Sequence, residues 1–214
     1  MLLFLTTVSF AQDSIDIGVL KYSDLRVVQK LTYTKTNKSE MGGHLGVMPF
    51  DAFTITPKID FSYGKHIDEE LAWEINLGGG YGLKNGTFRR LEDPAYAIAP
   101  DAYRYLGSVM ANVQYAPVYA KMSWTGKDVY HHDVYGILGA GVSFEQAFLP
   151  DKDFSIAPTI AAGVGFRVFL TQSSTLRIQL RDDILLQNRA KTEQQQKRYL
   201  KQNFALTVGY TLLK

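Results

Sequence analysis

The chain has 214 residues, 23 basic against 21 acidic side chains, a formal net charge of +2 and no cysteine. Without cysteine it can form neither a disulfide framework nor a thiolate metal site, and it has no Cys nucleophile. The balanced charge argues against the broad basic surface of nucleic-acid-binding proteins, so we expect no nucleic-acid partner. The length suits one large all-β domain.

The first eleven residues, MLLFLTTVSFA, have the pattern of a signal peptide. Their apolar run ends in small residues at Ser9 and Ala11, the two positions that signal peptidase inspects. The run is too short to cross a bilayer as a helix, which takes about 20 apolar residues. We therefore expect export with removal of residues 1–11, and the missing basic start indicates that translation begins further upstream.

From residue 38 onward the sequence predicts β-strands, because apolar and polar residues alternate with a period of two. Ile59 and Phe61, for example, alternate with Lys58 and Asp60. Strong alternation covers residues 54–65, 71–82, 155–170, 175–183 and 203–212, and weaker alternation covers 40–48, 106–116 and 132–143. An even number of long strands predicts an all-β, eight-stranded antiparallel up-and-down barrel over residues 38–214. Residues 12–37 are then a periplasmic segment that either caps the barrel mouth or contacts a neighbour.

Alternation alone allows a soluble barrel with an apolar interior or a membrane barrel with an apolar exterior. Strands of about 10 to 13 residues favour the membrane, since they are long enough to cross a bilayer at a tilt. Gly and Ala crowd the polar face, as a narrow lumen requires, and aromatic residues near strand ends suit the membrane interface. The expected interface aromatics are Tyr63, Trp73, Tyr81, Tyr115, Tyr135 and Tyr210, with Tyr105, Tyr119 and Phe166 also near strand ends. We expect a bacterial outer-membrane protein that contacts membrane lipids and is inserted by the barrel-assembly machinery.

The connections between the predicted strands indicate how the barrel is oriented, because outer-membrane barrels have short periplasmic turns and longer external loops. The expected external connections are residues 49–53, 83–105, 144–154 and 188–200, and the expected periplasmic ones are 65–70, 116–131 and 171–174. Most of the connections have the length that this orientation requires. The exception is residues 116–131, an expected periplasmic connection that is long.

Four segments in order resemble a known family: EMGGHLGVMPFDAF, ELAWEINLGGGYG, YAPVYAKMSW followed by HHDVYGILGAGV, and LRIQLRDDILL. Their order and spacing are similar to those of the small outer-membrane β-barrel proteins of gliding and predatory Gram-negative bacteria, most of all the ring-forming, lipid-enclosing members. The resemblance implies a non-enzymatic barrel that assembles into a homo-oligomeric ring and encloses or organises membrane lipid. One departure is the last residue, Lys214, where such barrels usually end on an aromatic residue.

The polar face of the predicted strands carries a set of charged and amide side chains that we expect to line the lumen. They are Lys58, Asp60, Glu74, Asn76, Asn112, Gln114, Arg167, Arg177, Gln179, Arg181 and Asp183. Side chains fill the interior of an eight-stranded barrel, so opposite charges would meet and plug it. The alternatives are a narrow porin or channel and, since Asp60 and Glu74 are both carboxylates, acid–base catalysis.

The motif DVYHHDVYGILGAG places two histidines beside an aspartate, residue types that metal sites and catalytic sites use. In a strand, however, His131 and Asp133 share one face and His132 lies on the other. We therefore interpret them as polar residues at the membrane interface, and we expect no catalytic residue, no metal and no cofactor. A His131–Asp133 pair acting with Ser123 or Ser143 leaves a lipid A-modifying enzyme as a further alternative.

The segments YGILGAGVS and IAAGVG are dense in small residues, which would let a second barrel or lipid approach closely. The candidate contact residues are Gly136, Gly139, Ala140, Gly141 and Ala162. The alternative is that a narrow barrel needs small residues inside.

Overall fold

The computed structural model describes residues 32–96, 100, 102–123, 129–148, 154–190 and 196–214. In chain order these residues form β1 Ser39–Met48, β2 Thr54–His66, β3 Leu71–Gly80, β4 Leu83–Lys84, α1 Gly86–Glu92, β5 Tyr103–Ser123, β6 Val129–Ala147, β7 Phe154–Thr171, β8 Ser174–Ala190 and β9 Gln196–Leu213. The predicted signal peptide and residues 12–31 of the predicted periplasmic segment lie outside the described residues.

Eight long strands form a closed ring in which each strand pairs antiparallel with its neighbours, in the order β1-β9-β8-β7-β6-β5-β3-β2 and back to β1. β1 closes the ring, because Leu45 lies opposite Ile59 of β2 on one side and Val208 of β9 on the other. The two-residue β4 pairs only with the start of β2. Ser39 and Lys214 exchange backbone hydrogen bonds of 2.7 and 2.9 Å, which hold the non-aromatic C-terminus in the sheet. The predicted eight-stranded barrel is confirmed.

The strands turn their apolar face outward and their polar face inward. Leu45, Leu138 and Ile160 are 68%, 67% and 63% exposed, whereas alternate positions such as Asp60 and Arg177 are 3% and 0% exposed. Of the two barrels that alternation allows, the chain forms the one with an apolar exterior. This arrangement is typical of a transmembrane β-barrel, whose outer wall contacts hydrocarbon.

The connection predicted at residues 116–131 is mostly strand. A bulge between Tyr115 and Val118 shifts the register, and pairing then continues from Val118 opposite Val134 to Ser123 opposite Val129. The prediction was wrong because the extra residue of a bulge breaks the alternation that marks a strand.

The predicted external connections 144–154 and 188–200 are also shorter than expected. β6 continues to Ala147 before β7 begins at Phe154, and β8 continues to Ala190 before β9 begins at Gln196. Polar residues dominate the β8–β9 extension, so its sequence resembles a solvated loop although its backbone is paired.

The connection between β3 and β5 contains a helix, α1, that the sequence did not predict. Asn85 caps it, because its side-chain oxygen accepts a hydrogen bond of 3.0 Å from the backbone N–H of Phe88. Phe88 is fully buried and packs with Ala102 and Phe148, with Phe53 at the edge. This apolar cluster anchors the longest external connection to the rim of the barrel.

Candidate functional site: the lumen and the exterior

All eleven residues predicted to line the lumen point into the barrel, and each is at most 5% exposed. Among the described residues the buried cations are Lys35, Lys58, Arg167, Arg177 and Arg181, and the buried anions are Glu40, Asp60, Glu74, Asp133, Glu145 and Asp183. Lys201 adds a sixth cation, since its Nζ lies 3.1 Å from Glu145 Oε1. Positive and negative side chains are therefore balanced, which is how buried charges are normally tolerated.

Glu40 on β1 lies at the centre of one half of the lumen, called the periplasmic half because the predicted orientation puts that end of the barrel in the periplasm. Its Oε2 is 3.0 Å from Arg167 Nη2 and 2.9 Å from His66 Nε2. Its Oε1 accepts a hydrogen bond of 2.5 Å from Thr211 Oγ1 and lies 3.5 Å from Arg177 Nη1. One carboxylate thus links β1 to β2, β7, β8 and β9 across the bore.

Arg177 has a second carboxylate partner, Glu74, whose Oε2 lies 2.6 Å from Arg177 Nη1 and accepts a 2.8 Å hydrogen bond from Gln114 Nε2. Arg167 and Arg177 face each other on β7 and β8, with the ring of Tyr135 4.8 and 5.2 Å from their guanidinium carbons. Tyr135 OH also accepts a 2.9 Å hydrogen bond from Arg177 Nε. The aromatic ring and the two carboxylates offset the repulsion between the two arginines.

The prediction that Tyr135 lies at the membrane interface was therefore wrong. Tyr135 is 1% exposed because it shares the inward face of β6 with Asp133, and a side chain on the opposing Gly165 would collide with its ring. Tyr105 is likewise buried, with its hydroxyl 2.8 Å from Ser108 Oγ. The interior of the barrel needs bulky side chains as well as charges, so aromatic residues near strand ends are not all girdle residues.

The described part of the N-terminal segment reaches into the periplasmic mouth. Lys35 Nζ lies 2.5 Å from Asp133 Oδ2, and the two side chains are 2% and 0% exposed. Tyr33 stacks on Phe169 with ring centroids 5.3 Å apart. The carboxylate of Glu69, in the β2–β3 turn, accepts backbone hydrogen bonds of 3.0 and 3.1 Å from Lys35 and Thr36. Residues 33–37 are thus fixed at the mouth by contacts with three separate strands or turns.

The middle of the lumen holds two local ion pairs, Lys58 with Asp60 at 3.2 Å and Arg181 with Asp183 at 2.8 Å. It also contains buried polar atoms that have no hydrogen-bond partner within the described part of the chain. These atoms include His44 Nδ1, Asn76 Oδ1 and both side-chain polar atoms of Asn112. Buried polar atoms of this kind are usually satisfied by water.

The opposite mouth, which the predicted orientation makes the external one, holds another charged group. Lys201 Nζ lies 2.8 Å from Asp51 Oδ2, in addition to its contact with Glu145, and donates a 3.2 Å hydrogen bond to the backbone carbonyl of Tyr103. A cavity of about 220 Å³ lies beside this group, between the β1–β2 connection and β9. Since Lys201 already contacts three oxygens, its ammonium is neutralised by the chain itself.

The histidines and the aspartate of the motif DVYHHDVYGILGAG lie on both faces of β6. His131 and Asp133 point inward and His132 points outward, but Asp133 contacts Lys35 and Arg167, while His131 Nδ1 lies 2.8 Å from Tyr119 OH. Ser143 lies twelve residues along the same strand, a separation of about 40 Å in an extended chain, and its hydroxyl accepts a hydrogen bond from Thr159. His131 and Asp133 are therefore engaged with other partners and lie far from Ser143, whereas Ser123 lies opposite Val129 at the end of β5, near His131.

Within the ranges that the structure describes, no three His, Asp or Glu side chains converge into a metal-binding group. No helix within these ranges is long and apolar enough to cross a membrane.

The other predicted interface aromatics point outward near the ends of strands. Tyr63, Trp73, Tyr115 and Tyr210, here called the periplasmic girdle, are between 38% and 52% exposed. Tyr81 is 51% exposed at the opposite end and, together with Phe50, Phe144 and Phe154, forms the external girdle. Between the two girdles the wall is almost entirely apolar, as a wall in contact with hydrocarbon must be.

The candidate contact residues divide between the two faces. Gly136, Ala140 and Ala162 point outward, but Gly139 and Gly141 point inward. A side chain at Gly139 would collide with Asn112, and one at Gly141 would collide with Met110. The assignment of Gly139 and Gly141 to the outer surface was therefore wrong, because the alternation of the strand divides the glycine-rich segment between interior and exterior.

Comparison with known proteins gives a likeness of fold alone. No family model matches the chain, and no curated protein sequence matches it. Among solved structures, it is similar to the N-terminal β-barrel domain of Pseudomonas aeruginosa OprF, with 9% identity over 84% of this chain and 98% of that one, at a TM-score of 0.48.

Two further solved structures give similar values. Neisserial surface protein A has 11% identity over 82% of this chain and 94% of that one, at a TM-score of 0.44. Ail, the attachment invasion locus protein of Yersinia pestis, has 10% identity over 84% and 99%, at a TM-score of 0.41. Because these identities and TM-scores are low, the assignment depends on the strand pairing, the side-chain burial and the aromatic girdles of the chain itself. By those criteria the chain is an eight-stranded transmembrane β-barrel of the kind found in the bacterial outer membrane.

Proposed function

We propose that this protein is a non-enzymatic outer-membrane barrel whose lumen is closed by its own charged side chains and which acts through its exterior. The observation that carries the proposal is the pairing inside the bore. Glu40, Glu74 and Asp133 contact Arg167, Arg177 and Lys35 at 2.5 to 3.5 Å. An eight-stranded barrel is only wide enough for its side chains to fill, so a paired interior leaves no open aqueous path.

We further propose that copies of the barrel associate side by side into a homo-oligomeric ring that encloses or organises membrane lipid. The resemblance to the ring-forming proteins of gliding and predatory bacteria implies this assembly. The outward-facing Gly136 and Ala140 support it, because short side chains on β6 let a second wall approach closely.

Native mass spectrometry of protein extracted together with its lipid, without detergent, tests this assembly. We expect oligomers that carry bound lipid, and images of the particle should show a ring around a central lipid region. An Ala140→Phe variant should give smaller assemblies, whereas Val208→Phe, an outward-facing change on β9, should leave them unchanged. A wild-type protein found only as lipid-free monomers would overturn the ring.

The narrow-channel alternative has one observation in its favour, the unpartnered polar atoms of His44, Asn76 and Asn112 in the middle of the lumen. If water fills this region, the barrel could conduct only where the charged groups at both mouths open. The enzymatic alternative predicts that lipid A acyl chains change when His131→Ala replaces the wild-type protein in cells, and we expect no such change.

A further inference from the structure

One carboxylate lies on the lipid-facing wall of the barrel. Asp182 on β8 lies between the inward-facing Arg181 and Asp183, so its own side chain points outward. Its neighbours across the sheet are Ala162 of β7 and Phe204 of β9, both on the exterior.

Asp182 lies well inside the apolar band. Along the outer face of β8, Leu176, Ile178 and Leu180 precede it and Ile184 and Leu186 follow it. Among the described outward-facing residues between the periplasmic and external girdles, it is the only carboxylate, and no cation occurs there. Its Oδ1, which the chain itself covers, has no hydrogen-bond partner in the described part of the chain. A carboxyl group facing hydrocarbon is costly and marks a place where a partner completes the wall.

On one side of Asp182 the outer surface of the barrel carries only a short side chain. Ala162, whose side chain is short, lies directly across from it on β7. Two barrels can therefore approach closely enough for short polar side chains to meet, as small residues permit between membrane helices.

We propose that Asp182 pairs with Asp182 of a second copy across a two-fold axis that runs along the membrane normal. Two copies inserted in the same direction present this side chain at the same depth, so symmetry alone aligns the two groups. When one proton is shared between them, each carboxyl meets the complement it needs, because a protonated carboxyl donates and its ionised partner accepts. The described exterior of the chain offers no cation at this depth, so no other outward side chain of a second copy would serve as well.

The Asp182 pair is a different contact from the one that would build the proposed ring. A two-fold contact closes after two copies, so a ring must use other walls of the barrel. The inference depends on the outer-membrane location of the barrel and not on the ring.

Cross-linking through introduced cysteines tests the pair, since the natural chain has none. Ala162→Cys, treated in native outer membranes with a short bifunctional thiol reagent, should give covalent dimers of this protein. Ile75→Cys is the matched control, because Ile75 is also outward-facing and lies on β3, four strands from Asp182 in the ring of eight.

Adding Asp182→Leu to the Ala162→Cys protein should reduce dimer formation about tenfold, the range expected for losing a polar contact in a membrane. Asp182→Asn, which can still donate and accept, should retain most of it. Leucine suits a lipid-facing position, so folding should persist and can be checked by heat-modifiable migration on gels.

Equal cross-linking at Ala162→Cys and Ile75→Cys, or no effect of Asp182→Leu, would overturn the pair. So would cross-linking only to a different protein, which would indicate a foreign membrane segment as the occupant. Native mass spectra of the Asp182→Leu protein separate the two proposals, because the lipid-bound ring should survive when the pair is lost.

Discussion

At the scale of single residues, Glu40 determines how the charges of the periplasmic half of the lumen are compensated. It is 4% exposed and contacts two arginines, His66 and Thr211. Removing it leaves Arg167 with Asp133 and Arg177 with Glu74, so each guanidinium loses one of its two carboxylates. Because the partners of Glu40 lie on four other strands, its loss removes contacts between several strands at once.

Glu40→Ala should destabilise the folded barrel by about 3 to 5 kcal/mol, the usual cost of breaking a buried ion pair. Denaturant unfolding in detergent micelles, followed by gel migration of folded and unfolded forms, measures the change. Glu92→Ala is the control, because its pair with Lys84 is about one-third exposed and should contribute less than about 1 kcal/mol. Equal effects of the two substitutions would contradict the assigned role of Glu40.

Glu69 lies outside the membrane-spanning strands and responds to pH. Partial burial alone would raise its pKa, but hydrogen bonds from Thr36 Oγ1 and from the backbone N–H groups of Lys35 and Thr36 together lower the pKa below its ordinary value of 4.5. The carboxylate therefore stabilises the docked segment fully above pH 4.5. That contribution is lost as the pH falls through the lowered pKa.

A pH titration of the Lys35 and Thr36 amide resonances by NMR should show a midpoint below 4.5. Glu69→Gln should abolish the transition, because the amide does not ionise. A midpoint at or above 4.5 in the wild-type protein would show that these hydrogen bonds do not hold the segment.

The sequence predicted whether a side chain points inward or outward wherever apolar and polar residues alternate regularly. The alternation in β2, β7 and β8 correctly placed Lys58, Arg167 and Arg181 inside. Glu40 and His44 were missed, because β1 reads SEMGGHLGVM and its glycines obscure the period of two. Asp182 was also missed, although it interrupts the apolar positions of β8 and could have been found from that break in pattern.

At the scale of elements, strand ends were harder to predict than strand centres. Bulges near Tyr115 and near Tyr105 insert residues that the alternation cannot accommodate. Beyond Leu186 and Leu200 the sequence of the β8–β9 extension is mainly polar, so it lacks the apolar alternation that marks a strand elsewhere. The existence of a strand follows from hydrophobic pattern, whereas its length also depends on pairing beyond the bilayer.

The short segment 33–37 is an element whose position depends on side chains rather than on sheet pairing. Lys35→Met should release it from the periplasmic mouth, because Asp133 keeps Arg167 as a partner while the segment loses its buried charge contact. Hydrogen exchange of the amides of residues 33–36 should accelerate while that of the barrel strands stays unchanged. Lys38→Met is the control, since Lys38 Nζ has only a 3.4 Å contact with the exposed carbonyl of Gln172.

The Lys35→Met experiment also has a clear negative result. Unchanged exchange at residues 33–36 would mean that Tyr33 and Glu69 hold the segment without Lys35. Faster exchange throughout the strands would mean that Lys35 stabilises the whole barrel rather than the segment.

At the scale of the whole molecule, closure of the barrel follows from the number and length of the strands, which the sequence carries directly. The period of two does not by itself show whether the apolar face points inward or outward. The glycine-rich polar faces and the aromatic residues near strand ends favoured an outward apolar face, as in a membrane barrel. What a single sequence could not provide is how the charges pair across the bore. Glu40, Asp133 and Arg177 are far apart in the chain, and only the ring order brings them together.

Single-channel recording in planar bilayers tests the closed lumen most directly. We expect no steady conductance from the wild-type protein. An Arg167→Ala, Arg177→Ala double variant, which removes both guanidinium groups from the bore, should show current and so verify that barrels insert. A steady, reproducible conductance from wild-type barrels would contradict the account, because it would require a continuous aqueous path past the ion pairs that fill both ends of the lumen.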